Sequence, residues 1–265
     1  MHTGRLKNAV EMRDAGRLEE SLRELEAAES VTPDPVERAM VVLNQSAVLA
    51  RMGRVEEAQA RTRRAASLSP APEVQCNALH SRAAGLAIAG HLDSALVEFE
   101  RVLREYPGVL RSEAYAFLYE DVQVRRGLLL TQLNRYEAAR KVLEECSSFD
   151  LSADERWKVL YNLGRCYFNL KDPGRAKQTF LEFLGREDQA DPTHVASAHF
   201  LLGTIYYNEG AGAKALLEFE WLLPRAEQVG MPTSLLYTWL AKTHRMLRNK
   251  PEAERYEAMA KAAHR

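Results

Sequence analysis

The sequence predicts an all-α protein built from about seven antiparallel helix pairs, and three regularities carry that prediction. Gly16, Gly53 and Gly90 stand 37 residues apart, and Pro33, Pro70 and Pro107 keep the same interval. Related strings follow the glycines: Gly16-Arg17-Leu18-Glu19-Glu20-Ser21, Gly53-Arg54-Val55-Glu56-Glu57-Ala58 and Gly90-His91-Leu92-Asp93-Ser94-Ala95. The small residue that closes each string recurs as Ser21, Ala58, Ala95, Ala139, Ala176, Ala215 and Ala253. Twelve residues before each stands another small one: Ala9, Ser46, Ala83, Gly127, Gly164, Gly203 and Ala241. A fixed period of this length marks a repeat in which each copy is one supersecondary unit.

The first small residue lies within the first helix of a pair, where a short side chain lets two helix axes approach closely. Three residues further on come Met12, Leu49, Leu86, Leu130, Tyr167, Tyr206 and His244, one helical contact away on the same face. The string between the two small residues is the turn: Gly or Asn ends one helix and a charged, helix-favouring run begins the next. Four residues after the second small residue come Leu25, Thr62, Phe99, Leu143, Phe180, Phe219 and Glu257, the inner face of the second helix. Pro33, Pro70 and Pro107 then close that helix, because proline cannot continue it.

One step departs from the period. Ala95 to Ala139 is 44 residues, and the surplus lies between Pro107 and Gly127. Seven extra residues equal two helical turns, which predicts one lengthened helix over about 111–133. At the far end Lys250, Glu252, Glu254, Arg255, Glu257 and Lys261 crowd the last helix, the polar outer face that a terminal repeat needs. One domain spans 1–265, with repeats at about 1–33, 34–70, 71–107, 108–150, 151–189, 190–230 and 231–265.

The order Leu163-Gly164, Tyr167, Ala176, Phe180 resembles the tetratricopeptide repeat, as does Leu202-Gly203, Tyr206, Ala215, Phe219. The other copies keep the small pair and lose most of the aromatics, and the period of 37 to 39 is longer than that family's 34. The resemblance implies an α-solenoid, a right-handed superhelix in which each pair buries its apolar face against its neighbours. It also implies that the first helix of each pair lines a concave groove.

Composition limits the functions available. The chain has 265 residues, 46% hydrophobic and 28% charged, as a folded soluble protein has. Lys and Arg number 36 against 37 Asp and Glu, so no basic excess points to nucleic acid. Cys76, Cys146 and Cys166 form no CxxC pair, which argues against a disulfide framework or zinc site and suits a reducing cytoplasm. No amino-terminal signal segment is visible, and the uncharged run 192–208 is too short and too polar to insert in a membrane.

No catalytic or metal-binding pattern stands out, so the sequence points to no enzyme and no cofactor. His194 and His199 are five apart and fall on different faces of a helix, unlike an HExxH pair. The cysteines sit at packing positions, Gly210-Ala211-Gly212 falls in a turn, and Arg61, Arg63 and Arg64 read as a solvated face. An enzyme would need a buried, perturbed titratable pair in a cleft, which the sequence does not suggest.

In the frame the resemblance supplies, groove-facing positions fall three before and one, four and five after the first small residue. Early copies give small or apolar residues: Leu43, Ala47, Ala50 and Arg51, then His80, Ala84, Ala87 and Ile88. Later copies change character. The expected peptide-binding set is Tyr161, Arg165, Phe168, Asn169, Phe200, Thr204, Tyr207, Asn208, Lys242 and Arg245. Asn can bond a peptide backbone through both donor and acceptor, the aromatics offer flat apolar area, and the cations favour an acidic side chain or terminal carboxylate. Some relatives bind acidic chaperone tails through Lys and Asn spread over three repeats. Here Lys158, Asn162 and Arg165 share one helix, with Leu201 and Thr204 in the next copy, so that function does not carry over. The reading is a non-catalytic scaffold that binds a protein or peptide in its groove. The alternative is a ligand-sensing module of a signalling or transcription-regulatory protein.

Overall fold

One turn, used seven times, organises the backbone. The fifth residue before each closing small residue takes a left-handed conformation: Gly16 (φ 77°), Gly53 (77°), Gly90 (81°), Asn134 (59°), Lys171 (63°), Gly210 (77°) and Arg248 (60°). The chain reverses there by a paired hydrogen bond. Gly53 N–H donates to the Ala50 carbonyl and Arg54 N–H to the Leu49 carbonyl; Lys171 and Asp172 repeat this on Phe168 and Tyr167, and Arg248 and Asn249 on Arg245 and His244. The expectation that Gly or Asn makes each turn is thereby corrected. In the fifth copy Lys171, not Gly174, takes the left-handed position, and in the seventh Arg248 does so rather than Asn249.

The computed structural model describes residues 2–185 and 190–263, and among them every regular element is helical. The chain forms two compact units, Met1–Leu133 and Asn134–Arg265. The first contains α1 (His2–Asp14), α2 (Leu18–Ser30), α3 (Pro35–Arg51), α4 (Val55–Leu68), α5 (Pro72–Ile88), α6 (Leu92–Glu105), α7 (Pro107–Leu110) and α8 (Ala116–Gln132). The second contains α9 (Tyr136–Cys146), α10 (Ala153–Asn169), α11 (Pro173–Leu184), α12 (Pro192–Asn208), α13 (Gly212–Leu222), α14 (Thr233–Met246) and α15 (Lys250–Ala263). Within each unit a helix packs on its partner across the turn and on the next helix in the chain.

Several first helices start from capping chemistry. Asp34 accepts from Glu37 N–H ahead of Pro35, Ser152 and Glu155 form a reciprocal capping box, and Asp191 accepts from Thr193 N–H ahead of Pro192. The surplus residues of the fourth copy do not lengthen a helix. Pro107 opens the four-residue α7, Ser112 turns extended with its hydroxyl on the Val109 carbonyl, and a 3-10 turn, Glu113–Tyr115, precedes α8. α8 keeps the same 17 residues as α3, α5, α10 and α12, so the frame survives the insertion.

The paired small residues are all buried. In the first two copies they bond directly across the pair: Ser21 Oγ donates to the Ala9 carbonyl (2.7 Å) and Ser46 Oγ to the Ala58 carbonyl (2.8 Å). In the fifth and sixth copies, where the second helix brings Phe180 and Phe219, the first small residue is glycine. A β-carbon on Gly164 would stand 2.6 Å from the Phe180 ring, and one on Gly203 would stand 2.8 Å from the Phe219 ring. Phe180 and Phe219 are fully buried, so the glycines are the room those rings occupy.

Ion pairs lace the outer faces. Arg61 bonds Glu26 at 3.2 Å and Arg64 bonds Glu29, so both cations tie the second copy to the first. On α15 Lys250, Glu254, Arg255 and Lys261 are exposed, as the polar terminal face requires, while Glu252 and Glu257 are half-buried.

Candidate functional site: the first-helix faces

In two copies the residue three before the first small residue bonds to a neighbouring helix. Tyr161 is buried, its hydroxyl donates to Ser197 Oγ at 2.9 Å, and its ring meets Phe183 and His194. Burial holds the His194 imidazole below its usual pKa against the pull of Asp191. The equivalent residue in the third copy is His80, whose Nε2 lies 2.5 Å from Asp121 Oδ2. Both partners occupy the position six before the next first small residue read along the chain frame (Gly203 for Ser197, Gly127 for Asp121), so one rule places both links.

Four more of the ten expected contact residues are engaged within the protein. Thr204 is buried, with its hydroxyl on the Phe200 carbonyl at 2.9 Å. Phe200 is half-buried among Phe219 and Trp239. Asn169 is exposed but donates its amide to the Arg165 carbonyl at 2.8 Å, and Arg245 pairs with Glu257. Of the other five, Asn208 and Lys242 are exposed, Arg165 and Phe168 are half-buried, and Tyr207 is half-buried against the Trp239 ring. Arg165 lies over the Tyr161 ring at 5.7 Å and Lys242 over the Trp239 ring at 4.8 Å. Neither cation has a carboxylate partner among the described residues.

Trp239 falls outside the groove-facing positions of the sequence frame, whose three-before residue in this copy is Thr238. The indole collects Phe200, Tyr207 and Phe219 as well as Lys242, with Tyr207 edge-on at 5.3 Å. Its position two before the small residue carries Asn162 and Leu201 in the preceding copies, so only its size marked it.

In the amino-terminal unit the early-copy residues surround an open cavity of about 380 Å³. Ala47, Ala50 and Ala84 lie in its wall with His80 and Arg125. Asp121 is half-buried beside His80 and accepts from Arg125 Nε at 2.7 Å. Burial alone would raise its pKa, but the His80 hydrogen bond and the Arg125 charge outweigh that and hold the carboxyl well below the usual range. A carboxyl with a lowered pKa therefore stands behind the cavity wall where the sequence suggested none. His80 and Asp121 are 41 residues apart and occupy the same frame positions as Tyr161 and Ser197.

All three cysteines are buried and outside any disulfide, and burial pushes Cys76 up to about 11, far from a reactive thiolate. Among the described residues no group of three or more His, Cys, Asp or Glu side chains is placed to hold a metal ion, and no helix is long and apolar enough to cross a membrane.

Tetratricopeptide-repeat family models match residues 120–152 and 158–189. No curated protein sequence matches the chain. Among solved structures it resembles PilF of Pseudomonas aeruginosa, with 20% identity, a TM-score of 0.61 and coverage of 86% of this chain and 92% of that one. It resembles the apo form of RapI at 16% identity and a TM-score of 0.61, covering 99% and 97%. It also resembles a STAND signal-transduction ATPase with a tetratricopeptide-repeat sensor from Pyrococcus horikoshii, at 12% identity and a TM-score of 0.71. That match covers 97% of this chain and 41% of the ATPase. The two family matches, over residues 120–152 and 158–189, and the shared fold support a tetratricopeptide-repeat family protein.

Proposed function

We propose that this protein is a non-catalytic scaffold that binds a segment of a partner protein along its first-helix faces. Arg165, Phe168, Tyr207, Asn208 and Lys242 supply the contacts in the carboxyl-terminal unit. Tetratricopeptide repeats generally mediate protein–protein interaction and are generally non-catalytic. The observation that carries the reading is the pair of cations, Arg165 and Lys242, each resting on an aromatic ring without a carboxylate partner among the described residues. A partially desolvated cation on an aromatic surface favours an acidic side chain or terminal carboxylate flanked by apolar groups. A cytoplasmic location goes with this reading, because three buried cysteines outside any disulfide suit a reducing compartment.

The test is the double variant Arg165→Glu, Lys242→Glu, measured against a partner recovered by affinity capture and then purified. A fall in affinity of at least about tenfold, on the order of one lost charge-assisted contact, is expected. Unchanged affinity would remove this face from the function.

A second reading, a ligand-sensing module of a signalling or transcription-regulatory protein, draws on the likeness to the sensor-bearing ATPase. An effector domain encoded upstream in the same reading frame would favour it.

A further inference from the structure

The cavity of the amino-terminal unit has a one-sided charge. Arg13, Arg51, His80 and Arg125 line it, and no Asp or Glu does. The carboxylates that steady these cations stand behind them. Asp14 holds Arg13 Nε at 3.0 Å and Arg51 at 3.7 Å, while Asp121 holds Arg125 and His80. Each guanidinium presents five donors, so these contacts leave donors over. The Arg51 and Arg125 side chains stay 55% and 44% exposed.

The floor suits close approach of a chain. Ala47, Ala50, Ala84 and Gly85 project nothing longer than a methyl group, and the Gln59 amide lies across Gly85 where a β-carbon would stand. An adjoining trough shares Ala84, Ile88 and Arg125 and adds Leu128. Ile88 is 55% exposed at this junction, an apolar side chain left without cover beside a cationic rim.

From this geometry we infer that the cavity receives an acidic polypeptide segment of a partner protein. Its carboxylates bond Arg13, Arg51 and Arg125, and an apolar side chain covers Ile88 and Leu128. Three guanidiniums facing two carboxylates leave a local positive excess that an incoming acid completes. The site shares no residue with the Arg165–Lys242 face, so either can fail while the other stands.

The experiment is a fluorescence-anisotropy titration of the full chain with a short labelled peptide of Glu, Ala and Leu. The same peptide with Gln for Glu, and inorganic phosphate alone, are titrated alongside. Saturable binding of the Glu peptide is expected, weakening as salt is raised. The double variant Arg13→Gln, Arg51→Gln should weaken it about tenfold or more. Arg104→Gln, an exposed charge outside the cavity, should leave it unchanged. Asp14→Asn, which frees two guanidiniums, should tighten it severalfold, an effect that a purely structural role for Asp14 does not produce. Circular dichroism confirms that each variant is folded. Absence of saturable binding, equal binding of the Gln peptide, equal losses in the double variant and Arg104→Gln, or full competition by phosphate at the peptide's own affinity would each overturn the inference.

Discussion

Phe180 lies across Gly164 so closely that a β-carbon there would come within 2.6 Å of the ring. The two residues belong to α10 and α11, and neither helix could sit where it does if Gly164 carried a side chain. The same relation joins Gly203 to Phe219. Residues sixteen apart face one another in the pair: glycine beneath Phe180 and Phe219, alanine beneath Leu25, and a hydroxyl in Ser46 that meets the Thr62 hydroxyl at 2.7 Å.

Gly164→Ala should therefore destabilise the protein by about 1–3 kcal/mol, the usual range for overfilling a packed interior. Phe180→Leu in the same chain should recover part of that loss, because the smaller side chain vacates the contested space. Urea denaturation of both single variants and the double variant measures the coupling. Simple additivity of the two losses would mean the residues do not touch.

Lys171→Gly and Arg248→Gly should each stabilise the fold. Both residues hold a left-handed backbone that costs a side-chain-bearing residue about 1–2 kcal/mol. Glycine removes that strain but adds chain entropy to the unfolded state, leaving a net gain of about 0.5–1 kcal/mol. A rise in thermal midpoint checks it; a fall would show that the long side chains contribute more than their backbone costs.

Acid should weaken the amino-terminal unit through Asp121. Its folded-state pKa lies below the unfolded value, so its contribution is complete above an unfolded pKa of about 4 and is lost as pH falls toward the folded value. Asp121→Asn should cost about 1–3 kcal/mol at neutral pH, as loss of charge-assisted hydrogen bonds does. It should also flatten the decline of stability between pH 5 and pH 3, an interval of about two units around that carboxylate range. An equally steep acid limb in the variant would assign the effect to other carboxylates.

The fold was legible in the sequence because close helix approach depends on side-chain size, and size is written at Gly164, Gly203 and the alanines. The turns at Lys171 and Arg248 were not, since neither residue type signals a left-handed backbone. The surplus of the fourth copy was misread because seven residues match two helical turns in length, whereas Pro107 and Ser112 break the chain there. Of the expected contact residues, Asn208 and Lys242 are exposed and Arg165, Phe168 and Tyr207 are half-buried. Tyr161 is drawn inward because Ser197 offers its hydroxyl a partner, and Thr204 because its hydroxyl satisfies its own helix. The His80–Asp121 contact uses the same two frame positions as Tyr161–Ser197, but the small-residue pattern marks those positions by place and not by residue type.

The most direct test is nuclear magnetic resonance of the folded chain, reading the contact between Gly164 and the Phe180 ring. Strong nuclear Overhauser effects from the Gly164 α-protons to that ring, with those protons shifted by its ring current, are expected, and likewise from Gly203 to Phe219. Glycine α-protons at ordinary shifts with no cross-peak to either ring would mean the helices do not meet there, and the packing on which the binding faces depend would be wrong.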